Sequence, residues 1–437
     1  MQSLINEAFD REVKCAVGCT EVATIGLVSS LALNTAMDNL DEDFRPKRRI
    51  KAKWVREINN ILLTLDPFLF KNAADAGIPW SDGGRGIKLA ATLGLFGDPS
   101  RKLQIFDSVS ENHLKLARKL EKTVRVRIKD SIDELGIYVE AKIETEKRWG
   151  RAIVQHDHDN IVLVESNRGC YFKAGATQRG REGYREAFKE LAVKDLIDYV
   201  DHLPTQIKAI VKKGIKLVKD LSDEGLKKSL GIGVGHALED GADDIKTYIK
   251  IRTASAIDAR MFGVPKPSVV VAGSGNQGIM TTMPICAYSE RSGMDEDLLV
   301  RSIALFYLVT IYISCHSSYL GAVCGLGSKA GAGASAGLAY YMSNGDGGAV
   351  KKAIKNFVAG IPGMICDGGK YSCALKGAIA TDAVYQSVQL ALKNRETPHS
   401  GILGKDVEES IRNLGKIIKG ARPLNNLIVE IVFEKQA

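Results

Sequence analysis

AVCGLGSKAGAG, residues 322–333, and GMICDGGKYSCALK, residues 363–376, place three cysteines in the C-terminal part of the chain: Cys324, Cys366 and Cys373. Thiolates are the ligands that soft, iron-containing centres prefer. On an unbroken helix, Cys366 and Cys373 would share a face but lie about 10.5 Å apart, at about 1.5 Å rise per residue. Asp367-Gly368-Gly369 is a turn signal that breaks such a helix and lets the chain fold back, so both sulfurs can aim at one point. Three cysteines, not four, leave one metal position open, as a reacting site requires.

Around this stretch lies an ordinary globular chain of 437 residues, 45% hydrophobic and 26% charged, with room for two or three domains. Its formal charge of +8 is modest for the length, and its basic segments are interleaved with acids. No basic stripe is paired with stacking aromatics, so nucleic-acid binding is not expected. Eight cysteines in a chain this long do not make a disulfide scaffold. The N-terminus lacks a signal-peptide pattern, and the longest apolar run, Ile303 to Cys315, reads as a buried core helix rather than a membrane span. A reducing, cytoplasmic setting is the expectation.

Outward from the cysteines, residues 325–348 are dense in Gly, Ala and Ser and read as tight helix packing beside a site. The chain beyond about 185 reads as mostly helical. Residues 44–175 differ: IYVEAKIET (137–145) and RAIVQHDHDNIVLVES (151–166) alternate as strands do, with helices near 88–95 and 109–122, which predicts a largely antiparallel sheet. Residues 1–43 read as a helix running from Glu12 through CAVGCTEVATIGLVSSLALNTAM. The fold class is therefore α+β: a mostly helical catalytic domain (1–43 and 176–437) with a smaller α/β domain (44–175) inserted after the N-terminal helix. Pro67, Pro79 and Ser81-Asp82-Gly83-Gly84 mark a loop-rich connection.

Several residues invite chemistry. Cys19, near a helix start, is placed to have a lowered pKa and to act as base or nucleophile, against the plainer reading of a buried small hydrophobe. His156 and His158 would point the same way on a strand and share an ion; a hydrogen-bonded turn is the simpler reading. Gly273-Ser274-Gly275-Asn276-Gln277-Gly278 is formally G-x-G-x-x-G, but Pro284 truncates the following helix and no second strand ending in an acid follows. A backbone nest for a carboxylate fits better, with Arg252, Asp258 and Arg260 supplying charge for the two ends of an amino acid. Cys15, Cys170, Cys286 and Cys315 share no spacing and read as structural thiols, and His316 as a core histidine.

Taken in order, GCTE (18–21), FKN (70–72), HDNIV (158–162), RTASAIDARM (252–261), GSGNQGIMTTMP (273–284), the C-x6-C element (363–376) and DVEESIRNL (406–414) resemble one family. It is that of the L-cysteine desulfidases, relatives of the iron–sulfur L-serine dehydratase alpha chains. The resemblance implies a [4Fe–4S] cluster on Cys324, Cys366 and Cys373 with one iron free for substrate, and Cys19 as base. It also makes Lys71, Asn72, His158, Asn160, Arg252, Arg260, Ser274, Gly275 and Asn276 candidate substrate contacts. The implied reaction is β-elimination on a small L-amino acid, L-cysteine first. L-serine dehydratase and a non-catalytic iron–sulfur or amino-acid sensor are the alternatives, and a homodimer is compatible with either. Val22 stands where the family usually has proline, and the 67–86 loop departs from its pattern.

Overall fold

The computed structural model describes residues 1–129, 137–174, 181–293 and 295–435. The expected domain boundary at 175/176 lies outside them. The chain opens with helix Gln2–Glu12, strand β1 (Val13–Val17) and helix Thr20–Ala36. The predicted single helix is thus interrupted by a strand. VKCAV is extended because it pairs antiparallel with the valine-rich strand at Pro267–Val271, Val13 opposite Val271 and Cys15 opposite Val269, and β-branched residues suit that surface.

Six strands form the main sheet: β2 (Ile58–Leu65), β3 (Val124–Ile128), β4 (Tyr138–Thr145), β5 (Trp149–Gln155), β6 (Ile161–Ser166) and β7 (Gly169–Lys173). Their order is β3-β2-β4-β5-β6-β7. Only β2 and β3 run parallel; the other pairs are antiparallel, as the alternating sequence predicts. Every residue of helix Thr20–Ala36 is buried, as expected of a helix that is apolar or small all round. It lies so close to the sheet that a Cβ at Gly150 of β5 would sit 2.1 Å from the Ala32 carbonyl. Helix Thr20–Ala36 therefore packs between the sheet and the helical segments Ile87–Gly94 and Pro99–Ser108.

Pro67–Ala73, expected as loop, is a helix. Asp66 caps it by accepting from Leu69 N–H at 2.8 Å, and Pro67 occupies a first-turn position that needs no donor. The strand expectation for His156 and His158 also fails. β5 ends at Gln155, His156 has φ of +71°, and both histidines lie in the turn before β6.

Beyond 181 the chain is helical apart from β8 (Pro267–Val271). β8's strand partner is β1, antiparallel, and the helix after it, Gly275–Met280, stops before a new helix that carries Pro284 in its first turn. The parallel arrangement that a dinucleotide would need is absent among the described residues. Helix Glu296–His316 is long and apolar enough to cross a membrane by length and composition, yet 89% of its apolar window is buried inside the protein. It forms the centre of the helical part. The glycine-rich stretch forms a π-turn, Leu326–Ala330, and helix Gly331–Met342, nearly all buried.

Candidate active site

The cysteine loop folds back as its turn signal predicts. Val323 and Ile365 form an antiparallel bridge. Cys324 N–H donates to the Met364 carbonyl and Cys366 N–H to the Ala322 carbonyl, each at 2.7 Å. These two bonds set Cys324 beside Cys366, close enough for each thiol to shift the other's titration. Gly368, at φ +111°, then turns the chain so that Cys373, the first residue of helix Cys373–Leu392, faces back with Sγ 3.7 Å from the Gly368 carbonyl.

Cys19 closes the fourth side. It is the N-cap of helix Thr20–Ala36 and only 5% exposed. A Cβ at Gly369 would stand 3.3 Å from its sulfur, so the glycine keeps open the space between Cys19 and the loop. The lowered pKa expected of a helix-start thiol is not found. Burial, and then the neighbouring Glu21 carboxylate, push the Cys19 thiol up. The partial positive charge of a helix start is too weak to offset loss of water.

Glu21 is buried and still ionised. Burial disfavours its charge, but the His158 ring, backbone hydrogen bonding and the Arg260 guanidinium outweigh it and hold the carboxyl below its usual range. Asn72 Nδ2 donates to Glu21 Oε1 at 3.0 Å and Thr20 Oγ1 to Oε2 at 3.1 Å. His158 is buried with Nδ1 3.2 Å from Thr24 Oγ1, and its Nε2 has no partner. Burial lowers its pKa, against the pull of Glu21. Across the site, Arg260 Nη1 donates to Asn276 Oδ1 at 2.9 Å while its Nε is unpartnered. A Cβ at Gly275 would lie 2.4 Å from that Nε, so only glycine lets the guanidinium lie along the loop. Gln277 Oε1 is likewise unpartnered, and the Gln277 side chain lies against Gly325, next to Cys324.

The structure thus brings together Cys19, Asn72, His158, Arg260, Gly275, Asn276, Cys324, Cys366 and Cys373. Ser274 caps the short helix of this loop, beside Gly273, whose carbonyl accepts from Thr20. Arg252 stands apart: it pairs with Asp223 at 2.7 Å, about 12 Å along the same helix from Arg260 at 1.5 Å per residue. Asn160 turns its amide to the Gln155 carbonyl at 2.9 Å. Lys71 Nζ donates to the carbonyls of Gly321 and Cys366 at 2.7 and 2.8 Å. Glu21 and Gln277 are residues that reading the sequence for site contacts passes over, whereas Lys329, just after Cys324, reads there either as an assisting residue or as a surface lysine. All three sit within or beside the motifs quoted above, and burial is what distinguishes them.

Among the described residues, no three Cys, His, Asp or Glu side chains close on one point as ligands of a single ion. A cubane cluster asks something different, because each thiolate takes its own iron. A set of three thiols, Cys324 and Cys373 buried and Cys366 half-buried, with a fourth beside a glycine-lined gap, fits that demand. The adjacent Cys324 thiol, aided by the Lys71 ammonium, draws Cys366 down against burial, toward the thiolate that a metal takes.

Over residues 100–422 the chain matches the family described as serine dehydratase alpha chain. It is 34% identical over 433 residues to an L-cysteine desulfidase of Methanocaldococcus jannaschii, covering 99% of this chain and 98% of the relative. Similar relatives include UPF0597 proteins of Clostridium tetani, 33% identical over 440 residues, and of Caldanaerobacter subterraneus, 32% over 438 residues, each with 99% of both chains covered. The thiol site on this mixed helix-and-sheet fold therefore lies in a chain whose matching family model and one full-length relative carry lyase names. The chain belongs to the serine dehydratase alpha-chain family, and the resemblance to L-cysteine desulfidases read from its motifs is borne out along its full length.

Proposed function

We propose that the protein is an iron–sulfur lyase that β-eliminates a small L-amino acid, L-cysteine first, giving sulfide, ammonia and pyruvate. The observation that carries this is the convergence of four thiols, three buried and Cys366 half-buried, with three polar atoms that lack partners, Arg260 Nε, His158 Nε2 and Gln277 Oε1. Buried polar groups are normally satisfied, so their orphaning marks where a polar ligand belongs.

Cys324, Cys366 and Cys373 would hold a [4Fe–4S] cluster, which when bound supplies an open iron as Lewis acid for the departing β-substituent. The chain's own residues do the rest. Arg260, held in line by Asn276, takes the substrate carboxylate in a charge-assisted contact. Neutralising that carboxylate makes the α-proton easier to remove. Cys19 Sγ, beside the Glu21 carboxylate, relays the α-proton: the sulfur takes it in the same step in which the thiol proton passes to Glu21, so that no free thiolate forms. The Cα–H electron pair becomes the Cα=Cβ bond as the Cβ–S bond breaks. The resulting aminoacrylate tautomerises and hydrolyses to pyruvate and ammonia. Burial of Cys19 excludes the water that would otherwise compete for these protons.

The family's description favours serine as a second substrate, with hydroxide in place of sulfide. The test is pyruvate and sulfide release by anaerobically reconstituted protein offered L-cysteine and L-serine in parallel. Cysteine turnover with matching sulfide is the expected result. Preference for serine would keep the mechanism and change the substrate. Silence on both, with iron and sulfide content confirmed, would overturn the lyase reading in favour of a sensor.

A further inference from the structure

Two lysines are buried beside the cysteine loop, Lys71 at 1% and Lys329 at 2% exposure. Lys329 Nζ donates to the carbonyls of Ser318 and Tyr319, at 2.9 and 3.3 Å, and Lys71 Nζ to those of Gly321 and Cys366. Between them they brace one face of the loop that leads into Cys324 and reach across to Cys366. Neither forms an ion pair with a carboxylate among the described residues.

Three other buried cations are answered: Arg185 meets Glu12 at 3.2 Å, Arg252 meets Asp223 at 2.7 Å, and Lys355 meets Glu396, while Arg260 meets no carboxylate and is the one assigned above to the substrate. An ammonium removed from water is strongly disfavoured unless paired, and carbonyl dipoles return only part of the loss. Two such cations next to one thiol set call for a resident negative charge. Three thiolates outweigh the charge of an oxidised cubane core, so the loaded site is anionic and lies where the balance is missing.

We infer that Lys71 and Lys329 are positioning residues that act as counter-charges to an anionic iron–sulfur centre on Cys324, Cys366 and Cys373, setting how firmly it is held and at what potential it is reduced. This rests on the iron–sulfur reading above and assigns the two lysines a role in it that does not involve substrate.

The test compares Lys71→Met, Lys329→Met and Lys71→Arg with the wild-type chain. Readouts are iron and sulfide content after anaerobic reconstitution, the rate of iron loss to EDTA, the midpoint potential followed by electron paramagnetic resonance, and the melting temperature of the iron-free protein. The Met variants replace an unanswered buried cation by an apolar chain of similar length. Their iron-free forms should melt no lower than wild type. Their loaded forms should lose iron about 10- to 100-fold faster, with a more negative midpoint potential, while Lys71→Arg keeps the wild-type potential. A role confined to bracing the loop predicts the opposite: lower iron-free melting in step with iron loss, and Arg no better than Met. That result, or unchanged retention and potential, would overturn the inference. If Lys71→Met does not fold, the bracing role is the one supported, and Lys329→Met is judged by the same readouts. A wild-type chain that takes up no iron and sulfide would instead bring down the reading beneath it, without recourse to any variant.

Discussion

Two turns in this molecule gather metal-ligating side chains, and their surroundings treat them in opposite ways. In the turn between β5 and β6, the carboxylates of Asp157 and Asp159 both meet the Lys14 ammonium, at 3.0 and 2.8 Å, and His158 points inward to Thr24. In the cysteine loop Lys71 and Lys329 bind main-chain oxygens, and Lys370 and Lys376 hold the Asp367 carboxylate, none of them a sulfur. The sulfurs there keep one another and weak contacts such as Cys366 to Asn72 Oδ1 at 3.8 Å. The number of donor atoms is similar. What differs is where the cations are directed, and that decides which set stays available to a metal.

The comparison breaks most visibly if a sulfur is removed. Cys366→Ser should abolish iron and sulfide uptake, because an alcohol does not ionise to a soft ligand. With the Lewis acid lost, several kcal/mol of transition-state stabilisation go with it, so pyruvate release should fall by about 10³-fold or more. Asp157→Asn, at the other turn, should leave iron content at the wild-type level. Equal iron content in both variants would show that the cysteine loop is not the ligand set.

What the sequence made legible follows the same division. The C-x6-C spacing with its Asp-Gly-Gly turn foretold a loop folded back on itself, because Gly368 needs a backbone conformation few other residues adopt. The alternation in IYVEAKIET foretold a strand, since a half-buried strand alternates. The strand at 13–17 was not legible: VKCAV is short, and its partner lies far along the chain at 267–271, so only tertiary pairing makes it extended. The helix after Asp66 looked like loop because two prolines bracket it, although Asp before Pro is also a helix start. Charge state was the least legible. Glu21 and Lys329 look like surface residues, and their burial comes from elements distant in sequence. The Cys19 thiol is pushed up rather than down for the same reason: a helix start can be read locally, but loss of water cannot.

A middle-sized effect sharpens the contrast from the other side. Lys14→Met would take the ammonium from two largely buried carboxylates, leaving Lys102, 3.8 Å from Asp159, and the His158 backbone N–H, 2.7 Å from Asp157 Oδ1, in partial support. Unpaired buried charge of this kind destabilises by about 1–3 kcal/mol. Urea denaturation of the variant should show a loss in that range with no change in iron content. A variant as stable as the parent would mean that solvent already screens the turn, and that Lys14 is not what withholds it from a metal.

A pH-dependent effect concerns an acid that no cation answers. Asp258 lies two residues before Arg260, is 1% exposed, and accepts from Gly235 N–H at 3.1 Å while its Oδ1 has no partner. Burial raises its pKa to about 7, against about 4 for a carboxyl in an unfolded chain. Between those two values the native state holds a proton that the unfolded state has released, so stability falls as pH rises from about 4 to about 7 and levels off above. Asp258→Asn keeps the shape, accepts the same backbone hydrogen bond and cannot ionise. Relative to wild type it should therefore gain stability steadily between pH 4 and 7 and hold a constant difference beyond, as read from melting temperatures across that range. Parallel curves for the two proteins would show that Asp258 is already ionised in the fold, with its charge compensated by the helix start at Val234 and Gly235. The helical part would then satisfy its buried acids as completely as the β5–β6 turn does, and the uncompensated charge in the molecule would be confined to the cationic surroundings of the cysteine loop.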